Sequence, residues 1–286
     1  MPLVSTAELV SAAVAGGRGV AAFNVITLEH AEAIAAGAEQ AGAPAILQIS
    51  ENAVRFHGGR LAPIAAAAAA VARVSGAPLA LHLDHVVSVG LLHEAGDAGF
   101  GSVMFDASKL PYEENVRATA DAVRWGRERG IWIEAELGKV GGKEGEAPLD
   151  AHAPGVRTDP AEAAAYVAAT GVDALAVAVG SSHAMTERTA ALDHELIGRL
   201  RDAVPVPLVL HGSSGVPDAE IRAAVASGMV KINVGTALNT AFSGAVRDFL
   251  AADGRSVDPR KYLAPGRDAM AATVAGFLGL LVPAVS

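Results

Sequence analysis

The chain has no cysteine among its 286 residues, which excludes a disulfide framework and a thiolate metal site and leaves histidine and carboxylate to hold any metal. Aromatic residues make up just 4%, so the core must be built mainly from Ala, Val, Leu and Ile, a composition that suits helices packed closely on parallel strands. Positive charge is in short supply. With 22 Lys and Arg against 31 Asp and Glu, the formal charge of −9 argues against a nucleic-acid surface, and an anionic substrate would need locally placed cations. The longest apolar runs, Ile64 to Ala72 and Phe277 to Val285, are too short to span a bilayer. The opening Met1 to Thr6 lacks the basic region, apolar stretch and cleavage site of a secretory leader, so a cytoplasmic protein that does not enter membranes is expected. A dinucleotide-binding turn is missing too, because Gly16, Gly17 and Gly19 precede the first predicted strand instead of following it.

What the chain does have is 51% hydrophobic residues arranged as a repeated alternation of strand and helix patterns. Strands are predicted over 20–25, 44–49, 78–84, 102–105, 131–137, 174–179, 206–210 and 230–234. A helix follows each, among them 28–41, 61–74 and 112–129, and one more, capped by Ser5, precedes the first strand. Eight consecutive βα units with right-handed crossovers predict an α/β fold, a (βα)8 TIM barrel with an extra N-terminal helix and a C-terminal helical tail, as a single domain over 1–286. One connection is long. Gly138 to Gly155, rich in glycine, charge and proline, reads as a mobile loop of the functional kind.

In such a barrel the C-terminal strand ends converge on one mouth. Here they carry Asn24, Ser50, Asp84 with His85, Asp106, Glu134 with Glu136, His183, His211 and Asn233, so every strand contributes a polar group. The richest stretch is Leu79 to Val86. Leu79, Leu81 and Leu83 share one pleated face, Ala80, His82 and Asp84 share the other, and His85 falls at the strand's end. Alone, this stretch fits a hydrogen-bonded His–Asp pair in the core as well as it fits a metal site. With His183 and His211 it supplies three imidazoles from three strand ends, the arrangement of an open catalytic metal centre, since a structural zinc is normally closed by four ligands. Of the other histidines, His30, His93 and His194 are expected on solvated helix faces, His57 and His152 in loops, and His82 inside the barrel. The segments His211 to Gly215 and Asn233 to Thr236 end the seventh and eighth strands, where barrels often hold a phosphate on backbone N–H groups and a helix N-terminus.

Several motifs run through the chain in an order that one family shares: His82-Leu83-Asp84-His85, Glu134-Ala135-Glu136-Leu137-Gly138, His183, the His211 to Gly215 loop, Lys231-Ile232-Asn233-Val234 and Asp258-Pro259-Arg260-Lys261-Tyr262-Leu263. In these motifs the chain resembles the class II, metal-dependent ketose-bisphosphate aldolases, which include fructose- and tagatose-bisphosphate aldolases. The resemblance implies aldol cleavage and condensation of a ketose 1,6-bisphosphate, with dihydroxyacetone phosphate and an aldehyde phosphate as products, by a cytoplasmic homodimer or homotetramer. It implies one catalytic Zn2+ per subunit on His85, His183 and His211, with Asp106 and Glu136 as nearby carboxylates, and a monovalent cation near the phosphate site. By the same resemblance Asp84 handles the proton on the oxygen at the reacting bond, and Glu144 exchanges a proton with the enediolate carbon. Gly212, Ser214, Asn233 and Thr236 match the site for the dihydroxyacetone phosphate part, Asn24 and Ser50 match substrate-contacting positions, and Arg267 matches a tail arginine associated with the distal phosphate.

One segment departs from the family pattern. Members commonly follow the second zinc histidine with Gly, a variable residue, Tyr and Lys, whereas this chain has Ala184, Met185, Thr186 and Glu187, so a carboxylate stands in the place of a phosphate-binding lysine. Arg188, one residue later, is the expected substitute if the loop shifts to turn it in. Other functions compete for such a mouth. A metal-dependent hydrolase would need the usual His-x-His on the first strand, which is absent, and a non-catalytic sugar-phosphate-binding subunit would not need Asp84, Glu144 and all three histidines. An aldolase for a different phosphorylated ketose is the nearest rival. Lys231 is a conceivable Schiff-base lysine, although the histidines offer a complete metal alternative to covalent activation.

Overall fold

The hydroxyl of Ser5 caps α1 (Thr6–Ala15) while Glu8 reaches back to the cap, satisfying two N-terminal donors reciprocally. The computed structural model describes residues 3–138, 140–142, 150–151, 153 and 155–282. After α1 come β1 (Val20–Asn24), α2 (Leu28–Ala41), β2 (Ala45–Ser50), α3 (Glu51–Phe56), α4 (Leu61–Val74), β3 (Leu79–Val86), α5 (Val89–Asp97) and β4 (Ser102–Phe105). The second half continues with α6 (Tyr112–Arg127), β5 (Trp132–Leu137), α7 (Pro160–Thr170), β6 (Ala174–Val177), α8 (His194–Ala203) and β7 (Leu208–Leu210). A 3-10 turn at Ser213–Gly215 then leads to α9 (Asp218–Ser227), β8 (Met229–Val234), α10 (Thr236–Ala252) and α11 (Pro259–Leu280). The strands pair in sequence order, all parallel, and β8 closes on β1. This is the predicted (βα)8 barrel with its extra first helix and helical tail.

Strand alternation sorts the barrel into an outer and an inner core. Phe23, Leu47, Leu79, Leu81, Leu83 and Val103 face the helices and join one continuous apolar cluster. Val20, Ala22, Ile46 and Ala80 face inward and pack against Leu9, Val10 and Ala13, so α1 plugs the N-terminal end of the barrel. Above this apolar floor the inner face turns polar, with Gln48, His82, Ser102, Glu134 and Lys231 all buried. Thr6 of α1 reaches that layer, its Oγ1 lying 2.6 Å from Ser102 Oγ.

The predicted helices 28–41 and 61–74 coincide with α2 and α4, whereas α3 was not anticipated. Among the described residues no helix is long and apolar enough to cross a membrane. Glu144 and much of the long loop predicted over 138–155 lie outside the described residues.

The helical tail folds back so that α11 packs on α2 and α10. Gly37 permits the first of these contacts, because a Cβ there would lie 2.6 Å from both Ala271 O and Val274 Cβ. Gly37→Ala gains roughly 1 kcal/mol of helix propensity but overpacks the contact at a cost of about 1–3 kcal/mol. A net loss of about 1 kcal/mol is expected, read as a fall of about 2–4 °C in the thermal midpoint, and an unchanged or higher midpoint would show that α11 yields freely.

Candidate metal centre

His82 and Asp84 point into the barrel by strand alternation, and the same rule would send His85 outward. It is turned back because the pairing of β3 with β4 slips between Leu83 and Val86 and His85 adopts φ +49°, a left-handed conformation that costs an L residue about 1–2 kcal/mol. Its Nδ1 then lies 3.1 Å from Asp106 Oδ2. Asp106 is itself fixed, since Ser108 donates to its other oxygen from the backbone at 3.0 Å and the hydroxyl at 2.5 Å.

The other two histidines are set by loop geometry. His183 donates its backbone N–H to Gly141 O at 2.7 Å, and neighbouring Gly142, at φ +80°, passes so close that a Cβ would sit 2.2 Å from His183 O. His211 follows β7 directly. The three rings meet edge to face with centroids 4.9, 5.1 and 5.6 Å apart. One donor atom from each of His85, Glu136, His183 and His211 lies within 4.8 Å of the others. Three imidazoles and a carboxylate oxygen in so small a space are a donor set that fits a divalent ion of borderline softness such as zinc.

The electrostatics beneath this cluster are strongly coupled. His211 is sealed from solvent with Nε2 3.1 Å from Glu134 Oε1 and Nδ1 2.9 Å from Glu136 Oε2. Burial is the largest single influence and disfavours its charged form, but the hydrogen bonds and charges of the two glutamates outweigh it and hold the ring up at about 9. For Glu134, burial pushes upward, and the Lys231 ammonium at 2.8 Å, followed by His211 and His82, brings the carboxyl down to about 2. Asp84 is likewise buried, yet His85 foremost, then His82, His211 and Lys231, hold it well below the usual carboxylate range. Burial and then the Lys231 charge keep His82 below the ordinary imidazole range. Gln48 completes the layer, donating from Nε2 to Asp84 Oδ2 at 3.0 Å and Asn24 Oδ1 at 2.9 Å.

A cavity of about 620 Å³ opens over the cluster, and Asn24, Ser50, Asp84, His85, Asp106, His183, Gly212, Ser214, Asn233 and Thr236 all line it. Gly212 sits at φ +67° with Ser182 O 2.4 Å from where a Cβ would be, so the turn after β7 requires glycine. Ser214 Oγ accepts from Gly235 N at 3.3 Å and Ala237 N at 3.0 Å, which ties this turn to the N-terminus of α10. Asn233 is buried beside them, and neither end of its amide has a hydrogen-bond partner among the described residues. Ser50 both lines the cavity and caps α3, accepting from Ala53 N at 3.2 Å.

Two predicted site residues are not brought to the mouth. Arg188 donates from Nε and Nη2 to Val216 O, pairs through Nη1 with Asp218 and lies over the Phe277 ring, so it is held toward α9 and α11. Arg267 pairs with Glu32 of α2 at 3.0 Å, outside the cavity lining. His30 is also corrected: it is buried, with Nε2 3.3 Å from Asn239 Oδ1. Conversely, Gln48, Arg55 and Lys109 line the cavity without being singled out by the sequence, and Lys231, which the sequence offers as a Schiff-base amine, is buried beneath it. Gln48 could have been found from the inward alternation Ile46, Gln48, Ser50, and Lys231 from its position two residues before Asn233 in an otherwise apolar strand.

The family model described as Fructose-bisphosphate aldolase class-II matches residues 4–282. A fructose-bisphosphate aldolase from Geobacillus stearothermophilus is 43% identical over 277 residues, covering 96% of each chain, and one from Staphylococcus aureus is 40% identical over the same span. Among solved structures, the YdjI aldolase from Escherichia coli K12 superposes with a TM-score of 0.84 at 32% identity, over 98% of this chain and 97% of the other.

Because His211 keeps its proton up to about pH 9, a metal that takes up this ring must displace that proton. Metal affinity should therefore rise with pH up to about 9, by as much as about tenfold per unit from this group alone. Calorimetric zinc titrations of metal-free protein near pH 7.5, in buffers of different ionisation enthalpy, should report about one proton released per metal from this ring. A binding heat independent of the buffer would contradict the assignment.

Proposed function

Because the chain belongs to the class II fructose-bisphosphate aldolase family, we propose that it cleaves and condenses a phosphorylated ketose at a divalent metal, zinc by its donor set, held by His85, His183 and His211. The observation that carries this reading is the convergence of those three rings and Glu136 within 4.8 Å, directly beside Asp84. A metal held there would supply Lewis-acid chemistry, stabilising negative charge that develops next to the ketose carbonyl. Asp84 stays ionised at working pH, so in cleavage it accepts the proton of the hydroxyl at the far side of the breaking bond, and in condensation it returns that proton. Glu144, assigned from the sequence motif, exchanges a proton with the donor carbon. Gly212, Ser214, Asn233 and Thr236 hold the phosphate next to the ketone, where the N-terminus of α10 favours an anion, while Asn24 and Ser50 meet substrate hydroxyls.

The substrate that suits this arrangement is a ketose 1,6-bisphosphate of the fructose or tagatose type, with dihydroxyacetone phosphate and an aldehyde phosphate as products. Arg55, paired with Glu51 at 2.5 Å, and Lys109 line the same cavity. An aldolase acting on a ketose with a single phosphate is the second reading, supported by Glu187 in the family's lysine position and by Arg188 turned toward Asp218.

Assaying triose release from a panel of ketose mono- and bisphosphates, with and without chelator, tests both readings. The bisphosphate should be preferred and the activity should vanish on chelation and return with zinc. His183→Ala should lose the metal and nearly all activity while keeping the fold; full activity in that variant without metal would refute the centre. Asp84→Asn should slow carbon–carbon cleavage by about 10²- to 10⁴-fold while sparing part of the solvent exchange of the dihydroxyacetone phosphate proton. Glu144→Ala should slow that exchange itself by a comparable factor, and normal exchange there would assign the carbon base to another residue.

A further inference from the structure

Lys231 is one of the largest side chains sealed inside this protein, and the proposed chemistry gives it no part. Its ammonium has three N–H bonds and three acceptors around it: Glu134 Oε2 at 2.8 Å, Gln48 Oε1 at 3.4 Å and His82 Nε2 at 3.5 Å. These partners come from β5, β2 and β3, so a residue of β8 is fastened to three other strands through the barrel interior. An amine held in this way is not poised as a nucleophile.

Glu134 is the informative partner. Its two oxygens are divided between two donors, Oε2 taking Lys231 at 2.8 Å and Oε1 taking His211 Nε2 at 3.1 Å. A carboxylate that accepted only from the histidine could rotate about its terminal torsion, and the imidazole would turn with it. With the second oxygen pinned, the hydrogen bond to Nε2 has one direction, and the His211 ring plane is fixed with Nδ1 toward Glu136 and the other two histidines. A ligand histidine whose other nitrogen is held by an oriented carboxylate is the usual way a protein sets ligand direction.

We propose that Lys231 is a positioning residue for the metal centre, acting through Glu134 to fix the ring of His211. The inference rests on the reading of His211 as a metal ligand given above, and it assigns Lys231 no contact with substrate. The Gln48 arm of the same ammonium leads to Asp84 Oδ2, so one buried cation braces both the ligand and the acid–base carboxylate.

The test measures metal binding directly. Zinc affinity is obtained by competition with a chelator, and the visible spectrum of the cobalt-substituted protein reports ligand geometry, for wild type, Lys231→Met, Glu134→Gln and the double variant, each checked for fold by circular dichroism. Lys231→Met should weaken zinc by about 10- to 100-fold and alter the cobalt bands, a signature that a purely structural lysine would leave unchanged in the folded protein. Since Lys231 acts through Glu134, the double variant should bind zinc as Glu134→Gln does, within about twofold, instead of showing the product of the two losses. If Lys231→Met does not fold because it strands a buried carboxylate, Glu134→Gln and the double variant, which lack that charge, make the same comparison. Wild-type affinity and an unaltered cobalt spectrum in Lys231→Met, or a double variant at least about tenfold weaker than Glu134→Gln, would overturn the inference while leaving the metal centre standing. A wild-type protein that binds neither zinc nor cobalt would overturn the metal reading itself, and the role of Lys231 with it.

Discussion

An ammonium and a carboxylate sealed inside a barrel, Lys231 and Glu134, form the interaction on which the mouth depends. Moving either charge out of water costs on the order of several kcal/mol, and their attraction offsets this only when the remaining donors and acceptors are also satisfied. Here Gln48, His82 and His211 take up the rest. Apolar side chains of similar volume would fill the space at least as stably, so the pair earns its place by what it organises. Its reach extends along two arms, to an imidazole at the end of β7 and, through an amide, to a carboxylate at the end of β3.

Backbone strain lies in the same region. The two non-glycine residues with left-handed backbone among those described are His85 and Ala184, at φ +49° and +57°, and both line the cavity. Such conformations persist only where the surroundings enforce them. At His85 the enforcement comes from the slipped β3–β4 pairing and from Asp106, and the strain carries a side chain from the outer face of a strand to the inner one. At Ala184 the family commonly has glycine, the residue for which this backbone is free of penalty. The departure first visible as an unusual tetrapeptide is therefore also a backbone departure.

Much of the architecture could be read from the sequence because local and global preferences agree. The helix patterns over 28–41 and 61–74 survive unchanged as α2 and α4, the Leu79, Leu81, Leu83 alternation marks the outer face of β3, and polar residues end the strands where the cavity opens. The failures have specific causes. Alternation alone points His85 outward, and no local rule announces the slipped pairing that reverses it. Arg188 was expected to follow the charge of a substrate, but a carbonyl, Asp218 and Phe277 on other elements hold it instead. His30 has the surroundings of a helix surface in one dimension and is covered by α10 in three. Lys231 reads in sequence as a conceivable Schiff-base amine because its partners are scattered across three strands and cannot be seen from its neighbours in sequence.

The column of polar groups in the barrel does not stop beneath the mouth. From Lys231 it passes to His82, from His82 Nδ1 to Ser102 at 2.8 Å, and from Ser102 to Thr6 of α1 at 2.6 Å. At the closed end, among the described residues, that column finishes on α1, ten residues long, and its apolar contacts. This makes α1 a dielectric seal. Were it to lift, water would reach the underside of the ion pair, screen it and admit rotation of the groups it fixes, so the order of the open end of the barrel is guarded from the opposite side of the molecule.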